Sequence, residues 1–579
     1  MKFNLRLIAL LIAMLMLLTS CESVIEPLLG LIPGLQTTTT TTMPKPKPPK
    51  RTTTTTTTGD PGDEEEVWKA EDHSITKNEM LKRYTLTREE VDAALTLLDD
   101  MLDASLNAET IEEVDAFYEQ FEDVFYHIAQ QMTVASIVYY CDMSDETASN
   151  RHLDTTDMFY EIQDKYTETC RSMYLESKFS AELFADWSEE EIQSLLDFDP
   201  KTTQLKKEVE ELQVEYNNLT SAEFDEKTAE IYAKIVTKNN ELARLYGYDN
   251  YYDYATENVY GRDYTAEDLK LFKEYVIKYI VPTFNVLYSG WNEIYDLAEF
   301  SRNIAIGFIQ EPFDTLNKNY VIKYLDSLGD TNMGTAMRNV FDEKNCIFSY
   351  NSNSHPTAFQ TYLYEDETPF CLFGSSGRSS NTLIHEIGHY YAAYTNNDID
   401  NYDLCETHSQ GNEYLFIQYS KGELSSKVYN VVRDYNLFNS YYTIVCASAV
   451  DSFEQRVYSL DSVEGYTAAD FDKIMDEVLA EFGKTNKWFS DNLTDMHYYW
   501  KAVAVDNPVY YISYAVSAVA AVEIFAIAEE DYDAAIAAYT ALVEGVTYED
   551  GFIEALKKAG LYTPFEEETY KKVSKTMGR

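Results

Sequence analysis

Basic residues are scarce: Lys and Arg total 46 against 99 Asp and Glu, a formal net charge of -53. That balance excludes nucleic acid and anionic membrane surfaces as charge-driven partners, because both repel such a chain. What it describes most simply is a heavily solvated acidic surface. Histidine is scarcer still, with eight residues in 579, so any regular arrangement of imidazoles is informative. Cysteine numbers seven. Apart from Cys21 these are Cys141, Cys170, Cys346, Cys371, Cys405 and Cys446, scattered along a large chain and not in the close spacing of a disulfide framework. Strand patterning is also thin. Only Ala358–Tyr364 alternates, and only Pro369–Phe373, ending in Gly374-Ser-Ser-Gly377, reads as a short buried strand. With 45% hydrophobic residues the chain still has ample material for a core, which excludes disorder as its general state.

One stretch stands out against that background, Asn381-Thr-Leu-Ile-His385-Glu386-Ile-Gly-His389-Tyr-Tyr-Ala-Ala-Tyr394. On a helix, His385 and His389 fall four residues apart on one face, close enough for both imidazoles to hold one metal ion. Glu386 stands beside them as a general base. At this histidine content the pattern arises by chance about 0.01 times per chain. The plain alternative is an amphipathic helix with solvated histidines. A third ligand is required, and the extended motif that ends in a third histidine is excluded, since Ala392 and Thr395 stand where Gly and His would be needed. Downstream, Asp403-Leu-Cys405-Glu406-Thr-His408-Ser-Gln410-Gly-Asn-Glu413 offers several donors. Glu406 lies seventeen residues past His389, room for one helix to end and another to return. Cys405 points about 100° away from its neighbour on such a helix.

His385-Glu-Ile-Gly-His389 followed by Glu406-Thr-His-Ser-Gln-Gly-Asn-Glu413 resembles the zinc peptidases of the oligoendopeptidase F and thimet oligopeptidase family. The resemblance implies one Zn2+ ion held by His385, His389 and Glu406, with Glu413 a supporting carboxylate nearby and His408 the competitor for third ligand. It implies a mainly α, zincin-like fold of many helices in two lobes around a deep cleft, with a small β element beside the metal helix. Other passages carry it too: Glu241-Leu-Ala-Arg-Leu-Tyr-Gly-Tyr-Asp-Asn-Tyr-Tyr-Asp-Tyr254, Phe453-Glu-Gln-Arg-Val-Tyr458, Asn507-Pro-Val-Tyr510-Tyr511-Ile-Ser-Tyr514, and Ala559-Gly-Leu-Tyr-Thr-Pro-Phe-Glu566. By the resemblance Glu386 is the catalytic base, Tyr514 and Tyr511 are the oxyanion-stabilising tyrosines, and Tyr510 is a further candidate. Tyrosines in an apolar helix are otherwise more often core. Two histidines common in relatives are missing, at Ala392 and near Ala504, which bears on substrate contacts and not on the metal.

The N-terminus reads as an address. Lys2 and Arg6 precede the apolar run Leu7–Leu18, too short to span a bilayer comfortably and matching a secretory signal. It ends Leu18-Thr19-Ser20-Cys21, which resembles the lipobox of bacterial lipoproteins and implies a lipid anchor at Cys21. Residues 1–20 are expected to be a signal peptide and 21–66 a Thr/Pro-rich tether, whose forty or so extended residues reach about 100 Å. An N-terminal helical domain over 67–200 and a catalytic domain over 201–579 are expected to follow. Thr87-Arg-Glu-Glu90 is a capping box before the apolar face Val91, Ala94, Leu95, Leu98, Met101 and Leu102. Leu205, Val209, Leu212, Tyr216 and Leu219 mark a long hairpin helix, and Asp199-Pro200 a boundary. The expected function is zinc-dependent endoproteolysis of short peptides at the outer face of a bacterial membrane. The alternatives are a peptide-binding surface lipoprotein of the same fold that has lost turnover, and a structural or adhesive surface protein.

Overall fold

A capping box opens the first long helix among the described residues, α1 (Arg88–Asn107): the Thr87 side chain accepts from the Glu90 N–H, and Glu90 reaches back to the Thr87 backbone. The structure is a computed structural model. It describes residues 70–576 apart from 186, 188, 197–199, 218, 220–223, 290–317, 350, 352, 356–357, 375–379, 396–400, 484–488, 490–492, 506 and 548–549. The expected signal peptide, Cys21, the tether, Asp199 and Gly377 therefore lie outside the described residues.

Helix α1 packs with α2 (Ile111–Tyr140) and α3 (Glu146–Glu176) as a three-helix group. Val91, Ala94, Leu98 and Met101 enter its core with Phe121, Phe125, Phe159 and Tyr166, while Leu95 and Leu102 line the rim. The Phe121 and Tyr166 rings stack at 5.2 Å. Next come α4 (Pro200–Asn217) and α5 (Phe224–Leu245). They run antiparallel, because Lys201 pairs with Glu241, Glu208 with Lys238, and Tyr216 meets Phe224 near the turn. Leu205, Leu212 and Tyr216 are buried, and Leu219 falls past the helix end. The passage after α5 turns at Gly247, whose φ of +85° suits glycine.

Three short strands form one sheet in the order β1-β3-β2, where β1 is Cys346–Phe348, β2 Ala358–Leu363 and β3 Thr368–Phe373. β2 and β3 match the sequence expectation. β1 was not legible, since three residues are too few to show alternation. It pairs parallel with β3, Cys346 opposite Cys371, while β2 pairs antiparallel, Gln360 opposite Cys371. The alternation divides the faces. Ile347, Phe359, Phe370 and Leu372 pack on Val134, Ile137 and Val138 of α2, and Cys346, Ala358, Cys371 and Phe373 join the large core on the other side.

That core is built by α6 (Ser380–Thr395), α7 (Tyr402–Glu423), α8 (Ser426–Tyr458), α9 (Ile512–Glu530), α10 (Tyr532–Glu544) and α11 (Glu567–Val573). Helix α9 is long and apolar enough to cross a bilayer. Here α7, α8, α10 and α11 cover it instead, and nearly every side chain from Ile512 to Ala528 is buried. A helix apolar all round belongs in such a centre.

Candidate metal centre

The site forms where α6 crosses α7. Gly388 permits the crossing: a Cβ there would lie 2.8 Å from both the His408 carbonyl oxygen and the Ser409 Cα. Glycine inside a helix costs about 1 kcal/mol relative to alanine, and the close approach of two backbones is what it provides in return. Asn412 pins the crossing by donating to the Ile384 carbonyl at 2.7 Å, and its own Oδ1 accepts from Tyr324 at 2.7 Å.

Across this contact His385, His389 and Glu406 offer one ligand atom each, all within 4.8 Å of one another. Among the described residues they are the one group of three or more His, Cys, Asp and Glu side chains so arranged. His385 Nε2 lies 3.6 Å and His389 Nε2 3.9 Å from Glu406 Oε2. Two imidazoles and a carboxylate in a buried setting are a donor set that suits zinc. His385 Nδ1 lies 2.7 Å from Glu413 Oε1, and Asn381 donates to the other oxygen of Glu413. Glu413 thereby orients the ring and leaves Nε2 for the ion. His408, the competing ligand, is fully buried and outside the group, and the half-buried Cys405 is outside it too.

Glu386 is 2% exposed, and its Oε2 has no hydrogen-bond partner. A buried carboxylate oxygen left unpaired is costly, and a cation beside it relieves that cost. Burial, reinforced by Glu406 and Glu413 and opposed by His385 and the Gln360 backbone N–H, lifts its pKa to about 8. Burial alone would lower His385, but its hydrogen bond to Glu413 and the surrounding carboxylates raise it to about 9. His389, buried beside His385 and His408, is held well below its ordinary value. Three carboxylates and two imidazoles, one of them held neutral, thus share the pocket, a donor set compatible with a divalent ion.

The tyrosines divide. Tyr510 donates to Glu406 Oε1 at 2.9 Å, and the Tyr514 hydroxyl also reaches this carboxylate. The Tyr511 hydroxyl is 2.8 Å from that of Tyr499, inside the core. Ser409 completes the set around Glu406, its hydroxyl 3.1 Å from Oε2. Ala392 and Ala504 are both buried in the large core.

The sequence matches no family model and no curated protein. Solved structures do match in fold. PZ peptidase A, determined with an inhibitor, superposes with a TM-score of 0.64 at 17% identity over 85% of this chain and 97% of that one. A structure assigned as an oligoendopeptidase F gives 0.66 at 17% identity over 87% and 98%. A Bacillus anthracis Ames protein assigned likewise gives 0.63 at 16% over 85% and 95%. The fold is that of oligoendopeptidase F.

Within this oligoendopeptidase F fold, several residues that build the site carried no motif of their own. Asn412 and Asn381 act only across the α6–α7 contact, so no local pattern marks them. Gly388 did leave a signal, a glycine in the middle of an otherwise helical stretch. Arg262 and Glu454 are both almost fully buried charges, and their partners lie more than fifty residues away in sequence.

Proposed function

We propose that the chain is a zinc-dependent endopeptidase acting on short peptides. The observation that carries this reading is the convergence of His385, His389 and Glu406 beside Glu386, whose buried Oε2 has no hydrogen-bond partner, in a fold shared with peptidases. His385, His389 and Glu406 would hold the ion. Zinc in such a place supplies Lewis acidity toward water and a peptide carbonyl. Glu386 takes the proton from the attacking water and delivers it to the departing amine, a task suited to a carboxylate whose surroundings raise its pKa toward neutrality. Tyr514, its hydroxyl beside Glu406, supplies a donor for the developing oxyanion. Strand β2 is an edge strand in the described sheet, and its free edge offers backbone pairing to an extended peptide.

The site of action is proposed as the outer face of a bacterial membrane, on the strength of the Lys2–Leu18 signal pattern and Cys21. Incorporation of labelled palmitate into the wild type and its loss in Cys21→Ser would test the anchor.

The decisive test of the chemistry is metal analysis of the full chain together with turnover of a quenched peptide library, wild type beside Glu386→Gln. Expected are one zinc per chain in both and a 10²- to 10⁴-fold loss of turnover in the variant. Absence of zinc, or a loss below tenfold, overturns the mechanism. Zinc without cleavage in either would make the chain a peptide-binding protein of this fold.

A further inference from the structure

We propose that Arg262 is a positioning residue of the metal centre: it holds the Val509–Tyr510 backbone in a left-handed turn that keeps the Tyr510 hydroxyl on Glu406. This rests on the zinc reading above and goes beyond it.

The turn is gripped at successive backbone atoms. Tyr260 donates its hydroxyl to the Pro508 carbonyl at 2.6 Å. The Val509 N–H donates to Glu454 Oε1 at 2.7 Å. Arg262 Nη2 donates to the Val509 carbonyl at 2.8 Å, the Tyr510 carbonyl at 3.2 Å and Ser513 Oγ at 3.0 Å. All three gripping side chains are buried. At the centre Val509 has a φ of +66°, a region that a β-branched residue avoids unless its surroundings over-determine it.

Arg262 also reaches the ligand helix. Its Nε lies 3.8 Å from Asp403 Oδ1, in the first turn of α7 and three residues before Glu406, and both side chains are fully buried. The guanidinium stacks over the Tyr260 ring at 4.5 Å. A buried ion pair is weak evidence for stability, because desolvation offsets much of the attraction. What a planar guanidinium adds over an apolar filler is direction, several donors fixed relative to one another. Here Nη2 alone makes the hydrogen bonds that hold the turn carrying Tyr510. The guanidinium charge faces Asp403 at the start of the ligand helix across 3.8 Å without a hydrogen bond. With the turn in place, Tyr510 occupies Glu406 Oε1 and leaves Oε2 facing the imidazoles.

The experiment compares wild type, Arg262→Lys, Tyr510→Phe and the double variant in the full chain. Arg262→Lys keeps a charge for Asp403 but loses the Nη2 hydrogen bonds to the Val509 and Tyr510 carbonyls and Ser513. Zinc affinity is read by chelator competition, and kcat and KM by peptide hydrolysis. Each single variant is expected to bind zinc 10- to 100-fold more weakly, the range for losing a partner of a metal ligand, with a fall in kcat and KM within threefold. The double variant should be no worse than Tyr510→Phe, because both act through one hydroxyl. A folded Arg262→Lys with wild-type zinc affinity overturns the proposal, and so does a double variant whose losses multiply. Should Arg262→Lys not fold, Tyr260→Phe removes one grip on Pro508 and is expected to weaken zinc two- to fivefold; unchanged affinity there overturns the proposal equally. A wild type that binds zinc and cleaves while the variants match it leaves the peptidase reading standing and sinks this one. A wild type that takes up no zinc sinks both.

Discussion

Glu413 Oε1 sits 2.7 Å from His385 Nδ1, on the side of the ring opposite the candidate metal. A carboxylate there fixes the tautomer and makes Nε2 a stronger donor to an ion. Glu413→Ala is expected to weaken zinc binding by 10- to 100-fold while the fold persists, since Glu413 is only partly buried. Glu413→Gln, which retains an acceptor, should lose less. Chelator competition checks the order, and equal affinity in all three proteins would remove Glu413 from the site.

Gly388→Ala places a methyl group against backbone atoms at 2.8 Å, and backbone cannot rotate aside as a side chain can. The helices α6 and α7 would have to separate at the level of the ligands. A stability loss of about 1–3 kcal/mol is expected, together with weaker zinc binding, since His385 and His389 leave Glu406. Urea unfolding and chelator competition measure the two. A variant with the wild-type midpoint would show that the crossing has slack.

The tyrosine pair separates by function. Tyr514→Phe is expected to lower kcat by 10²- to 10³-fold with zinc content unchanged. Tyr511→Phe breaks the bond to Tyr499 and should act mainly on stability, by about 1 kcal/mol. Steady-state kinetics and thermal unfolding on each variant decide it; a larger kcat loss in Tyr511→Phe would exchange the two roles.

Acid should act in part through His408, alongside the buried His152 and His389, whose pKa values are lowered as well. Burial lowers the His408 pKa to about 4, with the Leu542 backbone in partial opposition. The unfolded chain takes up this proton near pH 6.5 and the folded chain only near 4, so stability is retained above 6.5 and lost as the pH falls through that window. Its share of the slope reaches at most about 1.4 kcal/mol per pH unit. His408→Gln should lack this component, seen as a shallower dependence in urea unfolding between pH 6.5 and 4 with chelator present. Parallel curves would show that His408 is not among the titrating groups.

Much of the centre was legible because its chemistry is periodic. His385 and His389 are four apart on one helix, while Glu406 and Glu413 were singled out among several downstream donors only by the resemblance to oligoendopeptidase F. The helical lobes were legible for the same reason, as the capping box before Val91, Ala94 and Leu98 shows. What escaped were parts whose meaning is purely tertiary. β1 is three residues long and takes its strand conformation from pairing with β3. Arg262 looks like a solvated charge in sequence, and only the fold buries it against Asp403 and the Val509 carbonyl. Tyr511 and Tyr514 share a helical start, yet a core hydroxyl from Tyr499 claims the first.

The covered position of α9 bears on how the chain is made. Glu406 leaves the ribosome 104 residues before Tyr510, and at about 5–20 residues per second that is a wait on the order of 5–20 s. During it the apolar flank of α7, joined by that of α8 once Ser426–Tyr458 has been made, lacks the cover that α9 later gives. A nascent chain in this interval carries His385, His389 and Glu406 without the Tyr510 hydroxyl that meets Glu406 in the folded protein. Docking of the late helix is therefore the step that closes the core over α7 and α8, and a chain that ended before Ile512 would lack the segment that covers them.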